Sequence, residues 1–324
     1  MRVVPGVNRV IGLARRPVER ARARLGNAVF SRVAGPDGTA AHRRVHGTPG
    51  PRRFAPGTPI RRVHADSSMY VGGIRALLLQ SLHPLAMAGV AGHSGYRGDP
   101  WGRLARTATF LAFTTFGTVD DADATIARIR AIHERVRGRA PDGRAYRASD
   151  PHLLTWVHVA EADSFLAAHQ RFGHRPLDAA EADEYVAQTA LIGRALGAVD
   201  VPESVEELAA TLDRYRDELA ATDAARDAAA FLLREPPLPW AARAPYALLA
   251  AGAVELLPPY ARRMLELHRP LAGGVAGTLG TAGIRWAMGS FRRAAETDPA
   301  PTPDQDPVPD PGRSPDPTRA SSPN

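Results

Sequence analysis

Residues 67–138 read SSMYVGGIRALLLQSLHPLAMAGVAGHS, then GYRGDPWG, then RLARTATFLAFTTFG, then TVDDADATIARIRAIHERVRG. Apolar side chains recur there at three- and four-residue spacing, which predicts three helices joined by turns. Each helix carries one or two polar groups within an otherwise apolar face. Polar groups are costly to bury without partners, so apolar helices that point Arg, Thr and His inward imply an enclosed ligand. The remainder of the chain reads as further helix built around that pocket.

Within this stretch Ser67 reads as the N-cap of a buried helix carrying Met69, Ile74, Leu77, Leu78 and Leu82. Pro84 should bend or break it, and the carbonyl so freed needs a new partner. Asp99 and Pro100 read as N-cap and first residue of the next helix, which Gly117 ends. Thr118 caps the third, with acidic residues at 120, 121 and 123 complementing its dipole. Ile126, Ile129, His133 and Val136 then form one stripe, so a histidine stands where another aliphatic would be expected. On the preceding helix Arg103 and Thr107 lie four apart and therefore on one face. A guanidinium and a hydroxyl directed into a cavity can hold a carboxylate or a bound oxygen species. His133 can supply a neutral imidazole, which is a poor zinc site alone but all that a haem requires of the protein on its proximal side.

Working outward, residues 1–34 alternate apolar positions with arginines at helical spacing and read as an amphipathic arm. Residues 35–59, rich in Gly, Pro and Arg, read as a long surface connection. Downstream of 138 a turn-rich segment suggests a short strand pair. Asp150 and Pro151 then open a helix on which Leu154, His158, Ala162 and Phe165 share a face. Further helices are predicted for Asp178 to the stop at Gly197, 201–219, 223–234, 241–257 and 258–268. Beyond Glu296 the Pro- and Asp-rich sequence has one valine as its only large apolar residue and reads as a disordered tail. The expected fold class is thus all-α: a single multi-helix domain over 63–295, a basic arm and loop over 1–62, and a tail over 296–324.

The chain has 324 residues and 44% hydrophobic content, enough for a sizeable core. Without cysteine it can have no disulfide, thiolate metal site or Cys nucleophile. Its net charge of +7 comes from arginine alone, since there is no lysine, and no basic helix interleaved with aromatics appears. That points away from nucleic acid. No secretory signal is read, because arginines interrupt every N-terminal apolar run, and no apolar run is long enough to span a bilayer. The expected location is cytoplasmic, with peripheral membrane contact through the N-terminal arginines as the only membrane role.

The segments RALLLQSLHPLAMAGVAGHS, DPWGRLARTATFLAFTTFGT, IHERVRG and DPHLLTWVHVAEADSFL resemble successive motifs of the MpaB and rubber-oxygenase (latex-clearing protein) family, over roughly residues 65–260. That resemblance implies an all-α fold, a b-type haem with its iron, and dioxygen-dependent cleavage of carbon–carbon double bonds in a hydrophobic, isoprenoid-like substrate. The family's R-x-x-x-T motif falls on Arg103 and Thr107, near the distal side of the haem. Its axial histidine falls on His133, with His158 as the second candidate. Two departures accompany the match. Arg106 stands where rubber oxygenases have a lysine before the motif threonine, and the upstream glutamate proposed there as catalytic base has no equivalent. Arg75 is a candidate for a haem propionate or for an ordinary ion pair. A non-catalytic helical protein that binds haem or lipid is the alternative function. His83 and His93 flank the expected bend as pocket-lining or capping groups, and Trp156 as a stacking or core ring.

Overall fold

The computed structural model describes residues 35, 37–93, 100–236 and 238–296. Among them are thirteen α-helices and one two-stranded sheet, so the chain is all-α. The expected arm over 1–34 and the tail from 297 onward lie outside the described residues. No single described helix is long and apolar enough to cross a membrane.

The centre of the molecule is α7 (Pro151–Phe172). Asp150 starts it by accepting the amide of His152, and Pro151 occupies the first helical position, where a missing N–H costs nothing. Trp156, Val159, Ala160, Phe165 and Ala168 of α7 are buried in the main core. Along it lies α3 (Met69–Gln80). The two backbones can approach because Gly72 has no side chain: a Cβ there would meet Phe165 Cδ1 at 2.6 Å.

The bend expected at Pro84 is present. α3 and α4 (Pro84–His93) are turned through 106° across the break. The freed Leu82 carbonyl accepts the amide of Ala220 at 2.8 Å, and Gln80 O accepts Trp156 Nε1 at 3.2 Å. Ser67, however, is not the cap of α3. Ser68 precedes the helix without a side-chain cap, Asp66 Oδ1 accepts the Ser68 amide, and Ser67 Oγ donates to Thr281 O.

α5 (Pro100–Phe116) and α6 (Val119–Arg135) form a hairpin whose turn is fixed by Thr118, the N-cap acceptor for Asp121 N. Strands β1 (Arg137–Arg139) and β2 (Ala145–Arg147) are the expected antiparallel pair. α8 (Ala179–Leu196) opens with a reciprocal capping box between Asp178 and Glu181 and ends at Gly197, whose φ of 107° is readily adopted only by glycine. The predicted helix 201–219 is shorter: Ser204 caps α9 (Val205–Arg214), and Arg216–Glu218 forms a 3₁₀ turn. α10 (Asp223–Arg234), α11 (Trp240–Leu256), α12 (Pro259–Met264) and α13 (Gly273–Glu296) complete the chain, with α11 and α13 in contact through Gly252 and Gly277.

The surface connection expected over 35–59 is instead largely folded against the domain. α1 (Gly38–Gly47) buries Val45, Phe54 joins the main core, and α2 (Pro59–Ala65) begins within the region assigned to the arm. The arginines that gave the stretch its polar character hold it down. Arg44 Nη2 pairs with Asp121 at 2.7 Å, and Arg52 donates to the carbonyls of Val45, Thr48 and Phe116. Glycine and proline obscured a helix that long-range arginine bonds stabilise.

Candidate functional site

On α7, residues 158, 161, 162 and 165 recur at helical spacing and face a small cavity closed by three other helices. His64 of α2, Phe110 and Leu111 of α5, and Tyr185, Thr189 and Ile192 of α8 form the rest of its wall. The cavity itself is small, about 20 Å³, room for about one water molecule, and it opens partly to solvent. Most of that lining is apolar, which makes its few polar atoms conspicuous.

Burial pushes the His158 imidazole down to about 4, helped by the nearby Arg194 charge, and His64 down to about 3, helped by His169. Both rings are therefore neutral at pH 7. His64 Nδ1 lies 2.8 Å from Thr115 Oγ1. The Nε2 atoms of His64 and His158 and the hydroxyl of Tyr185 are buried with no hydrogen-bond partner. Glu161 is desolvated in the same wall, which raises its carboxyl to about 7. Tyr185 is held well above the ordinary phenol range by burial and then by the charges of Glu161 and Asp163. Three partnerless polar atoms on one cavity is an unusual concentration, because buried polar groups are nearly always satisfied.

The sequence candidates divide into three groups. His158 is in the wall. Thr107 and the backbone position of Arg103 lie on the α5 stripe that continues through Phe110 and Leu111, and Thr107 itself is exposed. The side chain of Arg103 lies outside the described residues. Arg106 is exposed on α5. His133, on α6, is half-buried, with its pKa lowered by burial and its Nδ1 buried without a partner. It is not among the cavity's lining residues. Counting back from the turn at 117–118, an antiparallel hairpin brings it about level with position 102, one residue from Arg103.

Arg75 stands apart from the cavity wall. It is buried and committed to the scaffold, with Nη2 on Asp163 at 2.7 Å, Nη1 on Ser164 Oγ at 2.6 Å and Nε on Leu256 O at 3.0 Å. Of its two expected roles the structure displays the ion pair. Trp156 is a core ring, and His93 bonds the Arg137 carbonyl at 3.1 Å. A second cluster able to hold a metal, His83, His152 and Glu218, lies toward the N-terminal end of α7.

Glu161, His64 and Tyr185 were not anticipated as site residues. Glu161 had a legible signal, since a carboxylate three residues after His158 interrupts the face that carries Ala162 and Phe165. His64 and Tyr185 had none, because only the tertiary fold brings α2 and α8 to α7.

The family model described as "ER-bound oxygenase mpaB/B'/Rubber oxygenase, catalytic domain" matches residues 61–290, a span that contains the whole cavity. The chain belongs to the mpaB/rubber oxygenase family. No curated protein and no solved structure matches it. The family is an oxygenase catalytic domain, which implies a small-molecule substrate and dioxygen. Neutral imidazoles with an unshared nitrogen are the kind of donor a haem takes, but a cavity of about 20 Å³ has no room for a porphyrin, so the pocket as folded does not fit that group.

Proposed function

We propose that this mpaB/rubber-oxygenase domain is a haem-b-dependent oxygenase that oxidises a hydrophobic, isoprenoid-like substrate, by cleavage of a C=C bond or a related oxidation. The observation that carries the proposal is the match of residues 61–290 to the mpaB/rubber-oxygenase catalytic domain, a span that holds the R-x-x-x-T motif at Arg103 and Thr107 and the histidine at 133.

The axial ligand is assigned to His133, which follows the R-x-x-x-T motif on the partner helix of the hairpin. His158 is the second candidate, on the strength of its place in the wall. Haem b, when bound, supplies the one-electron and dioxygen chemistry. The chain's own residues do the rest. Phe110, Leu111, Phe165 and Ile192 form an apolar wall that excludes water. Arg103 and Thr107 offer donors for an oxygen species on the same stripe of α5. Glu161, poised near neutrality, gives or takes a proton at a carboxyl oxygen, a role its pKa of about 7 suits. It stands in place of the carboxylate missing upstream of Arg103.

The visible spectrum of the purified protein after haem supplementation tests the first step. A Soret band is expected, lost in His133→Ala and retained in His158→Ala; the reverse outcome reassigns the ligand, and no band at all removes the haem reading. One observation favours a carrier without turnover: Arg106, unlike lysine, cannot give up its proton to become a ligand. Oxygen uptake with an unsaturated isoprenoid separates the two, since a carrier shows haem but consumes no oxygen.

A further inference from the structure

The break between α3 and α4, the first turn of α7 and the 3₁₀ turn at Arg216–Glu218 meet at one point on the surface. Each contributes one side chain, His83, His152 and Glu218, and their ligand atoms all lie within 4.8 Å of one another. His83 is at the bottom, only 2% exposed, while the side chains of His152 and Glu218 are 55% and 42% exposed. Neither nitrogen of the His83 ring has a hydrogen-bond partner. Its Nε2 comes to 3.4 Å from Glu218 Oε2, whereas His152 Nε2 lies 2.9 Å from both carboxylate oxygens.

A simple ion pair between His152 and Glu218 would account for the second contact and leave the buried His83 stranded. One cation at the centre takes a lone pair from each of the three and leaves only His83 Nδ1 without a partner. Ligands 2.0–2.1 Å from a tetrahedral zinc are about 3.3 Å apart, close to the His83–Glu218 separation. The His152–Glu218 pair would open by a few tenths of an ångström, which two exposed side chains can do. An outer partner is present on the His152 side. Tyr215 donates to the His152 carbonyl at 2.8 Å, and its oxygen lies 3.3 Å from His152 Nδ1. In the tautomer where Nδ1–H donates to that oxygen, the Nε2 lone pair points at Glu218 and is available to a metal ion in place of the proton that otherwise bridges the two groups. The frame is fixed by Ala220 N on Leu82 O and by Trp156 packed at 5.2 Å on Tyr215.

We propose that His83, His152 and Glu218 form a binding site for a divalent transition-metal ion of the zinc or iron(II) class, separate from the cavity on α7. Two imidazoles and one carboxylate select such ions over magnesium or calcium, which prefer all-oxygen ligands. Three protein ligands also leave positions open. His152 and Glu218 border an adjoining hollow of about 170 Å³, partly open to solvent, whose wall includes Arg214, Asp200 and Thr155. Water or a small polar ligand can complete the coordination from that side.

The test uses the full chain, stripped with chelator and titrated with Zn²⁺ by calorimetry and with Co²⁺ by visible absorption. One equivalent of Zn²⁺ is expected, with cobalt bands of a four- or five-coordinate site. Because losing even an outer partner typically costs 10–100-fold in metal affinity, His152→Asn and Glu218→Gln should each weaken binding at least about 100-fold while preserving the helical circular dichroism. Both positions are exposed, so neither substitution opens the core. No binding at micromolar zinc, or unaltered binding in both variants, overturns the proposal. Calorimetry does not register haem content, and the cobalt bands are read as a difference against the same sample before cobalt is added, so the outcome is independent of the oxygenase reading.

Discussion

Gly193 of α8 stands directly against the imidazole of His158: a Cβ at position 193 would lie 2.9 Å from Nδ1 and 3.0 Å from Cγ and Cε1. Alanine has the better helix propensity by about 1 kcal/mol, yet here it would press on a ring enclosed by α5 and α7. Gly193→Ala is expected to lower stability by a net 1–2 kcal/mol or so, the lower range of overpacking costs, and to displace His158 in the wall. Chemical denaturation measures the first effect. A variant as stable as the parent would show that the ring yields freely.

Stability should fall in acid because of two buried imidazoles. His158 and His64 hold folded pKa values of about 4 and about 3, below their ordinary 6.5. Their contribution is complete above pH 6.5 and is lost as pH falls through the folded values. Each residue therefore adds up to about 1.4 kcal/mol per pH unit to the slope between pH 6.5 and about 4. His158→Phe should flatten the stability curve in that window by about one proton's worth, as seen in denaturation midpoints measured from pH 4.5 to 7. An unchanged slope would mean that His158 is solvated in the native state.

Glu161 acts in the opposite sense. Its folded pKa of about 7 exceeds the ordinary 4.5, so its contribution is complete below pH 4.5 and is lost as pH rises through 7. Glu161→Gln should thus gain about 2–3 kcal/mol at pH 8 relative to the parent. The same variant should lose oxygenase turnover by 10²–10⁴-fold and abolish any inflection of rate near pH 7. A structural carboxylate would not show gain and loss together, so the pairing of stability with pH–rate data identifies the role.

Most of the helical frame was legible because its punctuation is local. Thr118, Asp150–Pro151, Asp178 and Gly197 all terminate helices where the residue types require. The stretch before Pro59 was not legible, since what orders it is Arg44 on Asp121, a bond across 77 residues. The site was read in part. The α7 face that carries His158 into the cavity wall follows from helical periodicity, whereas His64 and Tyr185 enter only through the packing of α2 and α8 on α7, and positions 103 and 107 are not among the described residues of the wall. Arg75 looked equally suited to a propionate and to an ion pair, and only Asp163, eighty-eight positions away, decides what its guanidinium touches.

That ion pair yields a last prediction. Arg75 is buried, its partner Asp163 is only partly so, and Ser164 Oγ and Leu256 O complete the shell. Removing the cation leaves a carboxylate and a carbonyl without their donor beneath α11. Breaking a buried pair costs about 3–5 kcal/mol, and the partial exposure of Asp163 sets the expected loss for Arg75→Met near the lower figure, about 3 kcal/mol. Arg75→Met/Asp163→Leu should recover much of it, because the uncompensated charge is then gone as well. Haem content per folded molecule should be unaltered in both variants. If Arg75→Met instead loses haem while its melting temperature holds, the guanidinium serves a propionate, and the contacts to Ser164 and Leu256 are secondary.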